Sequence, residues 1–177
     1  RAAEKNREFA GNAHAAAVAL LDSGKPEEAV AKCSEAIKLR PDRASFYVTR
    51  AKAYYAAKKD IDAIRDYSKA IKLEPENTSL YMARGKVRQF KDPTRAVADF
   101  GVVIEREPKN HIGWIARGDA NRRKGKKADL KAAFKDYTAS VKLKKTYAGY
   151  YGRALARKKL GDAKGARRDE DRARKAR

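Results

Sequence analysis

Small and aromatic residues recur at helical spacing along residues 46–75, with polar residues between them. Spacings of three and four residues place such positions on one face of a helix. They predict two stripes, Tyr47, Ala51 and Tyr54 on a first helix and Ala63, Tyr67, Ala70 and Ile71 on a second. The polar segment 58–60 predicts the turn, where Asp60 is placed to accept the first free N–H groups of the second helix. The stretch therefore predicts a helical hairpin that needs neighbours to bury its faces.

The same pattern recurs along the chain. Successive copies of Arg50 are Arg84, Arg117 and Arg153, which follow at intervals of 34, 33 and 36 residues. The second helices align as well, because segments 66–75, 99–108 and 136–145 each begin with Asp and an aromatic residue. Segment 33–41 closes an earlier copy. The self-similarity predicts five units, with boundaries at about 10–43, 44–77, 78–110, 111–146 and 147–177.

A period near 34 residues, with an aromatic and a small residue on the first helix and Ala-x3-aromatic then Pro on the second, resembles the tetratricopeptide repeat. The resemblance implies an all-α fold, a right-handed superhelical solenoid of about five helix-turn-helix repeats. We expect residues 1–177 to form one solenoid domain, with 1–9 as a helical extension at the N-terminus. Each repeat of a solenoid is stabilised mainly by its neighbours.

Several positions depart from the family pattern. The four recurring arginines stand where the family usually has leucine, and Arg88 and Asn121 replace the inward aromatic residue that is Tyr54 in the second unit. The third unit is one residue short in its inner turn. The fourth unit has three extra residues there and lacks the closing proline. These departures blur unit boundaries without changing the expected fold.

Helix ends are marked by glycine, proline and short polar residues. Residues 2–22 predict one long helix stopped by Gly24, and Pro26 predicts the start of a second helix that runs to Leu39. Four further positions predict caps or starts. They are Asp42, Asn77, Asn110 and the pair Asp92-Pro93. The last helix, about 162–175, has hardly an apolar residue, which favours a polar cap for the stack over a binding tail.

Charge is concentrated towards the C-terminus. The net charge is +21, and Lys and Arg outnumber Asp and Glu by eleven to three in residues 111–147 and by eleven to four in residues 148–177. Such a field attracts anionic partners, whether acidic protein, nucleic acid or lipid headgroup. Segment 121–131 places six positive charges around the inner turn of the fourth unit. A solvated turn and a polyanion contact through Arg123, Lys124, Lys126 and Lys127 both remain open.

Residues suited to catalysis are scarce. His14 and His111 are isolated, and the sequence has no Cys-x-x-Cys or His-x3-His ligand spacing, Gly-x-Ser-x-Gly elbow or glycine-rich phosphate loop. We expect no enzyme activity, no cofactor and no metal site. Cys33 occupies the place of Tyr67, which favours a packing thiol over a reactive one.

No apolar run reaches the length of a membrane helix. We expect a soluble protein, either cytoplasmic or exported after loss of an N-terminal segment. The residues do not indicate which compartment it occupies.

The recurring arginines lie within otherwise packed stripes, so each needs a counter-charge. An aspartate stands at a fixed place on the second helix of each unit that has the arginine. The first unit has neither the arginine nor the aspartate, and Ala16 and Lys32 stand at the two places. This joint presence and absence favours structural ion pairs over ligand binding. The expected pairs are Arg50 with Asp66, Arg84 with Asp99, Arg117 with Asp136, and Arg153 with Asp169.

The resemblance implies a concave groove lined by the first helices, which takes an extended peptide or a partner helix. Groove-facing candidates by alignment are Val48, Lys52, Tyr55, Met82, Lys86, Gln89, Ile115, Arg122, Tyr151 and Lys158. They mix apolar residues with cations, which favours an acidic or amphipathic segment of a partner protein. Nucleic acid or another polyanion on the basic C-terminal half is the alternative, although aromatic residues are scarce around the basic turn.

One subgroup of the family grips acidic chaperone tails through a clamp of lysine, asparagine and arginine. The corresponding places here hold His14, Val18, Thr49, Ser79 and Ala83. That clamp is absent, so chaperone-tail binding is not expected.

Overall fold

The computed structural model describes residues 2–177, which form ten α-helices and no β-strand. The helices are α1 (Ala2–Asp22), α2 (Pro26–Leu39), α3 (Ala44–Ala56), α4 (Asp60–Leu73), α5 (Thr78–Arg88), α6 (Pro93–Arg106), α7 (His111–Lys124), α8 (Lys127–Leu143), α9 (Tyr147–Lys159) and α10 (Ala163–Lys175). Consecutive helices make five helix-turn-helix hairpins, numbered here first to fifth. The expected all-α fold of about five repeats is confirmed.

The chain divides into two compact parts that are each larger than one repeat, and these are from here on the first unit, Arg1–Val87, and the second unit, Arg88–Arg177. The boundary falls near the end of α5, so the third hairpin contributes to both units. Whether the chain behaves as one solenoid domain stays a prediction. Arg1, the first residue of the expected N-terminal extension, lies outside the described residues.

The core of the first unit is a series of small clusters that join neighbouring hairpins. Ala10 and Ala36 of the first hairpin pack against Phe46 of the second. The predicted stripes of the second hairpin are buried against α5, where Ile71 meets Leu80 and Tyr67 meets Val87. Each hairpin therefore buries its apolar face on the next one, as expected for a repeat protein.

The core of the second unit centres on Tyr137 of α8, which is fully buried with Ala133 and Ala156. Two glycines make room for its ring. A Cβ atom at Gly118 would lie 3.0 Å from Tyr137 Cε1, and one at Gly152 would lie 2.3 Å from the same atom. Because α7 and α9 both approach the ring this closely, no side chain fits at Gly152 without a shift of the packing.

Several predicted helix ends are confirmed. Gly24 has the positive φ of 73° that ends α1, and Pro26 begins α2. Asp92 accepts the backbone N–H of Arg95 as the cap of α6. The Asn110 side chain accepts the backbone N–H groups of the second and third residues of α7. Asn77 directly precedes α5, and its side-chain oxygen accepts a hydrogen bond from the Ser79 hydroxyl, so a bond from Asn77 to the backbone of α5 stays a prediction.

One predicted cap, at Asp42, is wrong, and the cap at Asp60 stays a prediction. Arg43 takes the N-cap position of α3, and Asp42 is instead held by Arg40, whose hydrogen bond lowers the pKa of the Asp42 carboxyl to about 2. Asp60 is the first residue of α4, with Lys59 at the N-cap. There the carboxylate lies within the first turn, where the helix dipole favours negative charge.

None of the helices in the described range is both long enough and apolar enough to cross a membrane.

Candidate functional site

In the first unit, the predicted groove positions include the main exposed residues of α3 and α5. Lys52 and Lys86 are exposed, and Tyr55 is 48% exposed, which is high for a large aromatic side chain. Val48 and Met82 are half-buried, and Val48 packs against the clusters around Tyr47 and Tyr67. The cations and Tyr55 are therefore accessible to a partner, and Val48 contributes mainly to the core.

In the second unit, Tyr151 is 42% exposed and lines a cleft of about 370 Å³ between α9 and α10. Tyr147 stacks on it with ring centroids 5.4 Å apart, and the Arg177 guanidinium lies 4.9 Å from the Tyr147 centroid. Arg174 and Glu170 also line this cleft. We call it the tyrosine cleft, and it joins two aromatic faces to two cations.

The other groove candidates of the second unit are less available. Lys158 pairs with Glu170 at 2.5 Å, and Ile115 packs against the Tyr137 cluster. Arg122 is largely engaged inside the protein, because its Nε donates to Tyr137 Oη at 3.3 Å and its Nη2 to Asp119 at 3.3 Å. Gln89 is half-buried. A partner that used Arg122 would compete with these bonds.

The Tyr137 hydroxyl is held on both sides. It donates to Asp119 Oδ1 at 2.6 Å and accepts from Arg122. Burial and the nearby Asp119 carboxylate raise the pKa of Tyr137 well above its ordinary value, despite the opposing effect of Arg122. This polar triad fixes the ring between the two glycines, and it serves packing.

The basic turn of the fourth hairpin is short. Gly125, with φ of 79°, ends α7, and α8 begins at Lys127. The three extra residues lengthen α8 to 17 residues, against 14 in α4 and α6, so they form helix and not a wider loop. The lysines and alanines of this segment are good helix formers, and Asp129 lies in the first turn of α8.

The four cations of the basic turn are not equivalent. Lys124 pairs with Asp129 at 2.7 Å, and the Arg123 guanidinium lies 4.1 Å from the Phe90 ring centroid. Phe90 is 64% exposed. Lys126 and Lys127 are exposed, and within the described chain no carboxylate is in ion-pair range of either. The position of Phe90 beside this turn was not predicted from the sequence.

The arginine–aspartate geometry is present in three of the four expected places. Arg50 donates to both carboxylate oxygens of Asp66, at 2.7 and 2.9 Å. Arg117 Nη2 donates to Asp136 at 2.7 Å, and Arg153 donates to Asp169 at 2.6 and 2.7 Å. Paired arginine N–H groups on a carboxylate are among the stronger hydrogen bonds in proteins.

Arg84 and Asp99 belong to different units, and their pairing stays a prediction. Arg84 Nη1 donates to Ser68 Oγ at 2.9 Å, and the buried Asp99 accepts from Arg88 Nη1 at 2.8 Å.

The aspartates have a second donor, which was not predicted from the sequence. Arg88, Asn121 and Arg157 stand at the place of Tyr54, and each reaches the aspartate of its own hairpin, at 2.8, 3.1 and 3.1 Å. The signal was visible, because Arg88 and Asn121 break the aromatic pattern in hairpins that keep the aspartate. In these three hairpins, the residue that replaces the aromatic one bonds the carboxylate.

The remaining candidate groups are packed. Cys33 is a buried free thiol, and burial raises its pKa to about 11. His14 Nε2 lies 2.8 Å from Thr49 Oγ1, and burial lowers the His14 pKa. The described residues contain no cluster of three or more His, Cys, Asp or Glu side chains suited to a metal ion.

Comparisons with known proteins agree with this architecture. The sequence model of the tetratricopeptide repeat family matches residues 44–77, the second hairpin. No curated protein sequence matches the chain.

Solved structures resemble the fold over most of the chain. MamA 41-end from Desulfovibrio magneticus RS-1 covers 95% of this chain and 94% of its own, with a TM-score of 0.86 and 16% identity. YrrB, described as a TPR protein with an unusual peptide-binding site, covers 98% and 89%, with a TM-score of 0.79 and 19% identity.

The first TPR of Spaghetti (RPAP3), bound to the HSP90 peptide SRMEEVD, covers 68% of this chain and 96% of its own, with a TM-score of 0.63 and 23% identity. At these identities the similarity shows the fold alone. The family's sequence model thus matches the second hairpin, and the fold of the whole chain is similar to that of solved tetratricopeptide repeat proteins.

Proposed function

We propose that the chain is a non-catalytic protein-interaction module whose first helices bind an acidic or amphipathic segment of a partner protein. Its fold is that of proteins that act as interaction scaffolds. YrrB is described as having a peptide-binding site, and the Spaghetti repeat domain is bound to a peptide. These facts concern other proteins, and they support a peptide as the class of ligand here.

The tyrosine cleft is the observation that carries the proposal. Two stacked tyrosine rings offer apolar contact, and Arg174 and Arg177 offer charge to the same ligand. Aromatic residues and arginine are the residue types that contribute most at protein interfaces. A peptide with both acidic and apolar side chains fits this combination, because one part of the cleft is apolar and the other cationic.

The exposed residues of the first unit have the same character. Lys52, Lys86 and Tyr55 are accessible on the faces of α3 and α5 that are not used for packing. Binding to a chaperone tail is not part of the proposal. None of the five clamp places holds a lysine, asparagine or arginine, and at two of them His14 contacts Thr49.

A matched pair of triple variants tests the proposal. The probe is a rhodamine-labelled peptide of alternating glutamate and leucine, measured by fluorescence anisotropy. We expect Lys52→Gln, Lys86→Gln and Tyr151→Ala together to reduce affinity at least tenfold, which corresponds to about 1.4 kcal/mol. The control variant combines Lys69→Gln, Lys72→Gln and Leu143→Ala. These three exposed residues lie on second helices.

The control variant should bind like the parent, and both variants should keep their helical circular dichroism. Equal loss in the two triple variants would show that the probe senses overall charge and not the first helices. That result would overturn the proposed site.

A second function is favoured by one observation, the contact of Arg123 with the exposed Phe90 beside the unpaired Lys126 and Lys127. An aromatic face among cations is the arrangement that binds single-stranded nucleic acid. Neutralising Arg123, Lys124, Lys126 and Lys127 would then abolish binding of an oligothymidylate, with a steep dependence on salt. Unchanged oligonucleotide binding in that variant would remove this second function.

A further inference from the structure

The recurring arginines of the second and third hairpins have a hydrogen-bond partner on the hairpin before them. Arg50 Nη1 donates to Ser34 Oγ at 3.0 Å, and Arg84 Nη1 donates to Ser68 Oγ at 2.9 Å. Each serine lies 16 residues before its arginine. At Arg50 the serine therefore uses the one guanidinium nitrogen that Asp66 leaves open.

The fourth hairpin lacks this partner. Gly101 lies 16 residues before Arg117, so it stands at the place of the serine. A Cβ atom at Gly101 would meet nothing within 4 Å, so the position borders open space. Arg117 bonds Asp136 through Nε and Nη2, and Nη1 has no acceptor among residues 2–177. One guanidinium nitrogen, Nη1, is thus left without an acceptor within that range.

That arginine lines a cleft of about 440 Å³ between α6, α7 and α8, which we call the arginine cleft. Its apolar wall is formed by Val97 and Ala132. The Arg117 guanidinium lies 5.0 Å from the centroid of the Trp114 ring, and Trp114 Nε1 is fixed by donation to the Pro108 carbonyl at 2.9 Å. The cleft therefore has a rigid aromatic floor beneath a cation.

Lys135 adds a second cation to the cleft. It is exposed, and no carboxylate of the described residues pairs with it. Asp136, the carboxylate in the wall, is already bonded by Arg117 and by Asn121 Nδ2 at 3.1 Å. The net charge of Arg117, Lys135 and Asp136 together is +1, which suits a singly charged anion. A doubly charged phosphate would leave one negative charge uncompensated in the cleft.

The fifth hairpin shows why the cleft is particular to the fourth. Thr138 takes the place of the serine there, because it follows the Asp-aromatic pair as Ser68 does, and its hydroxyl donates to the Phe134 carbonyl. However, the Arg153 side chain is only 9% exposed, against 27% for Arg117. Of these two arginines, Arg117 is the one open enough to take a partner from outside.

We propose that the arginine cleft binds the carboxylate of an aspartate or glutamate side chain in an acidic protein segment. The carboxylate accepts from Arg117 Nη1, in the role that the serine hydroxyl has in the second and third hairpins. Lys135 contributes charge, and Trp114 and Val97 contact the methylene groups or an apolar neighbour. The site lies apart from the first-helix residues of the proposed groove, since none of those residues lines it.

Trp114 gives this site its own signal, because it is the single tryptophan of the chain. The probes are unlabelled peptides, acetyl-Glu-Leu-Glu-Leu-amide and the neutral acetyl-Gln-Leu-Gln-Leu-amide. We expect the acidic peptide to change Trp114 emission in a saturable way and the neutral peptide to leave it unchanged. No emission change up to millimolar acidic peptide would overturn the proposal.

Two substitutions at Gly101 isolate the open donor. Gly101→Ser restores the hydroxyl and should weaken binding of the acidic peptide at least fivefold, because the new hydroxyl would occupy Arg117 Nη1. Gly101→Ala adds the same Cβ without the hydroxyl and should bind like the parent. Both replace a glycine within α6, and the Cβ that each adds meets nothing within 4 Å, so both should fold with unchanged or higher helicity.

Lys135→Gln provides an independent variant and should weaken binding of the acidic peptide at least threefold. Equal affinity of Gly101→Ser and Gly101→Ala would overturn the role of the open donor. A phosphoserine peptide that bound tighter than the glutamate peptide would overturn the assignment to a carboxylate. The groove variants of Lys52, Lys86 and Tyr151 should leave the Trp114 signal unchanged.

Discussion

The second and fourth hairpins contain the same arginine–aspartate pair in different surroundings. In the second, Arg50 is bonded by Asp66 and also by Ser34 of the preceding hairpin, and Tyr54 keeps the family's aromatic residue beside it. In the fourth, the serine is a glycine, the aromatic residue is Asn121, and Arg117 borders a cleft. The same arginine–aspartate pair can therefore be fully bonded within the protein in one hairpin and leave an accessible arginine donor in another.

The largest expected effect is on the free energy of unfolding, when the pair of Arg50 and Asp66 is broken. Asp66→Ala should lower the free energy of unfolding by about 3–5 kcal/mol, because it leaves the largely buried Arg50 without its counter-charge. The Arg50 side chain is 19% exposed, against 27% for Arg117. Asp136→Ala should therefore cost less. Urea denaturation followed by far-UV circular dichroism measures both.

The double variant Arg50→Leu with Asp66→Ala is the control for this experiment. It removes both charges and should recover at least half of the lost stability, since a buried pair often adds little over apolar packing. A larger loss in Asp136→Ala than in Asp66→Ala would reverse the proposed contrast between closed and open pairs.

The next effect concerns the aromatic residue of the second helix. Tyr67 packs with Ala51 and Ala83, whereas Tyr137 has Gly118 and Gly152 at the matching places. Gly152→Ala should destabilise the chain by about 1–3 kcal/mol, because its Cβ would overlap the buried ring. Thermal unfolding of this variant measures the cost.

The matched variant is Ala83→Gly in the third hairpin, which should lose only the helix propensity of alanine, about 0.5–1 kcal/mol. If Gly152→Ala raised the melting temperature instead, the ring would have more freedom than its contacts indicate.

Helix caps provide a smaller contrast. Asn110→Ala should cost about 1 kcal/mol, because the Asn110 side chain accepts two backbone N–H groups at the start of α7. Arg43 holds the N-cap position of α3 without a side-chain bond, so Arg43→Ala should change stability by less than about 0.5 kcal/mol. Similar losses in both variants would show that the cap is not the cause.

The smallest expected effect lies in the first hairpin, where Cys33 replaces the tyrosine. Burial raises the pKa of its thiol from 9.0 to about 11. The folded state thus favours the protonated thiol, so this contribution to stability is complete below pH 9 and is lost as the pH rises through 11. Iodoacetamide should modify native Cys33 at least tenfold more slowly than the urea-unfolded chain. Equal rates would indicate an open thiol.

The periodic positions were enough to predict the helices and their buried faces. The stripe of Tyr47 and Ala51, the stop at Gly24 and the cap at Asn110 depend on residues close in sequence. Local spacing determines such features, because helix geometry repeats every few residues. The sequence also indicated which arginine faces which aspartate in the second, fourth and fifth hairpins, since the two charges recur together.

Features that depend on competition between partners were not predictable from spacing. The sequence predicts Asp42 as the cap of α3, but the Arg40 guanidinium takes its carboxylate. In the sequence, Arg88 and Asn121 break the aromatic pattern in hairpins that keep the aspartate, but their bonds to Asp99 and Asp136 depend on the distance between two helices. The arginine cleft depends on Gly101, whose place gains meaning only when its counterparts Ser34 and Ser68 are seen to bond arginines.

The lengthened α8 has a consequence for how such a chain can be extended. Its three extra residues lie before the buried positions that begin at Leu130, so they add nearly one turn of helix outward while Ala133 and Tyr137 keep their register. A hairpin of this kind can grow at its tip without disturbing the seam with its neighbours. An engineer could therefore graft a short helical tag or an array of charges there and leave the rest of the scaffold as it is.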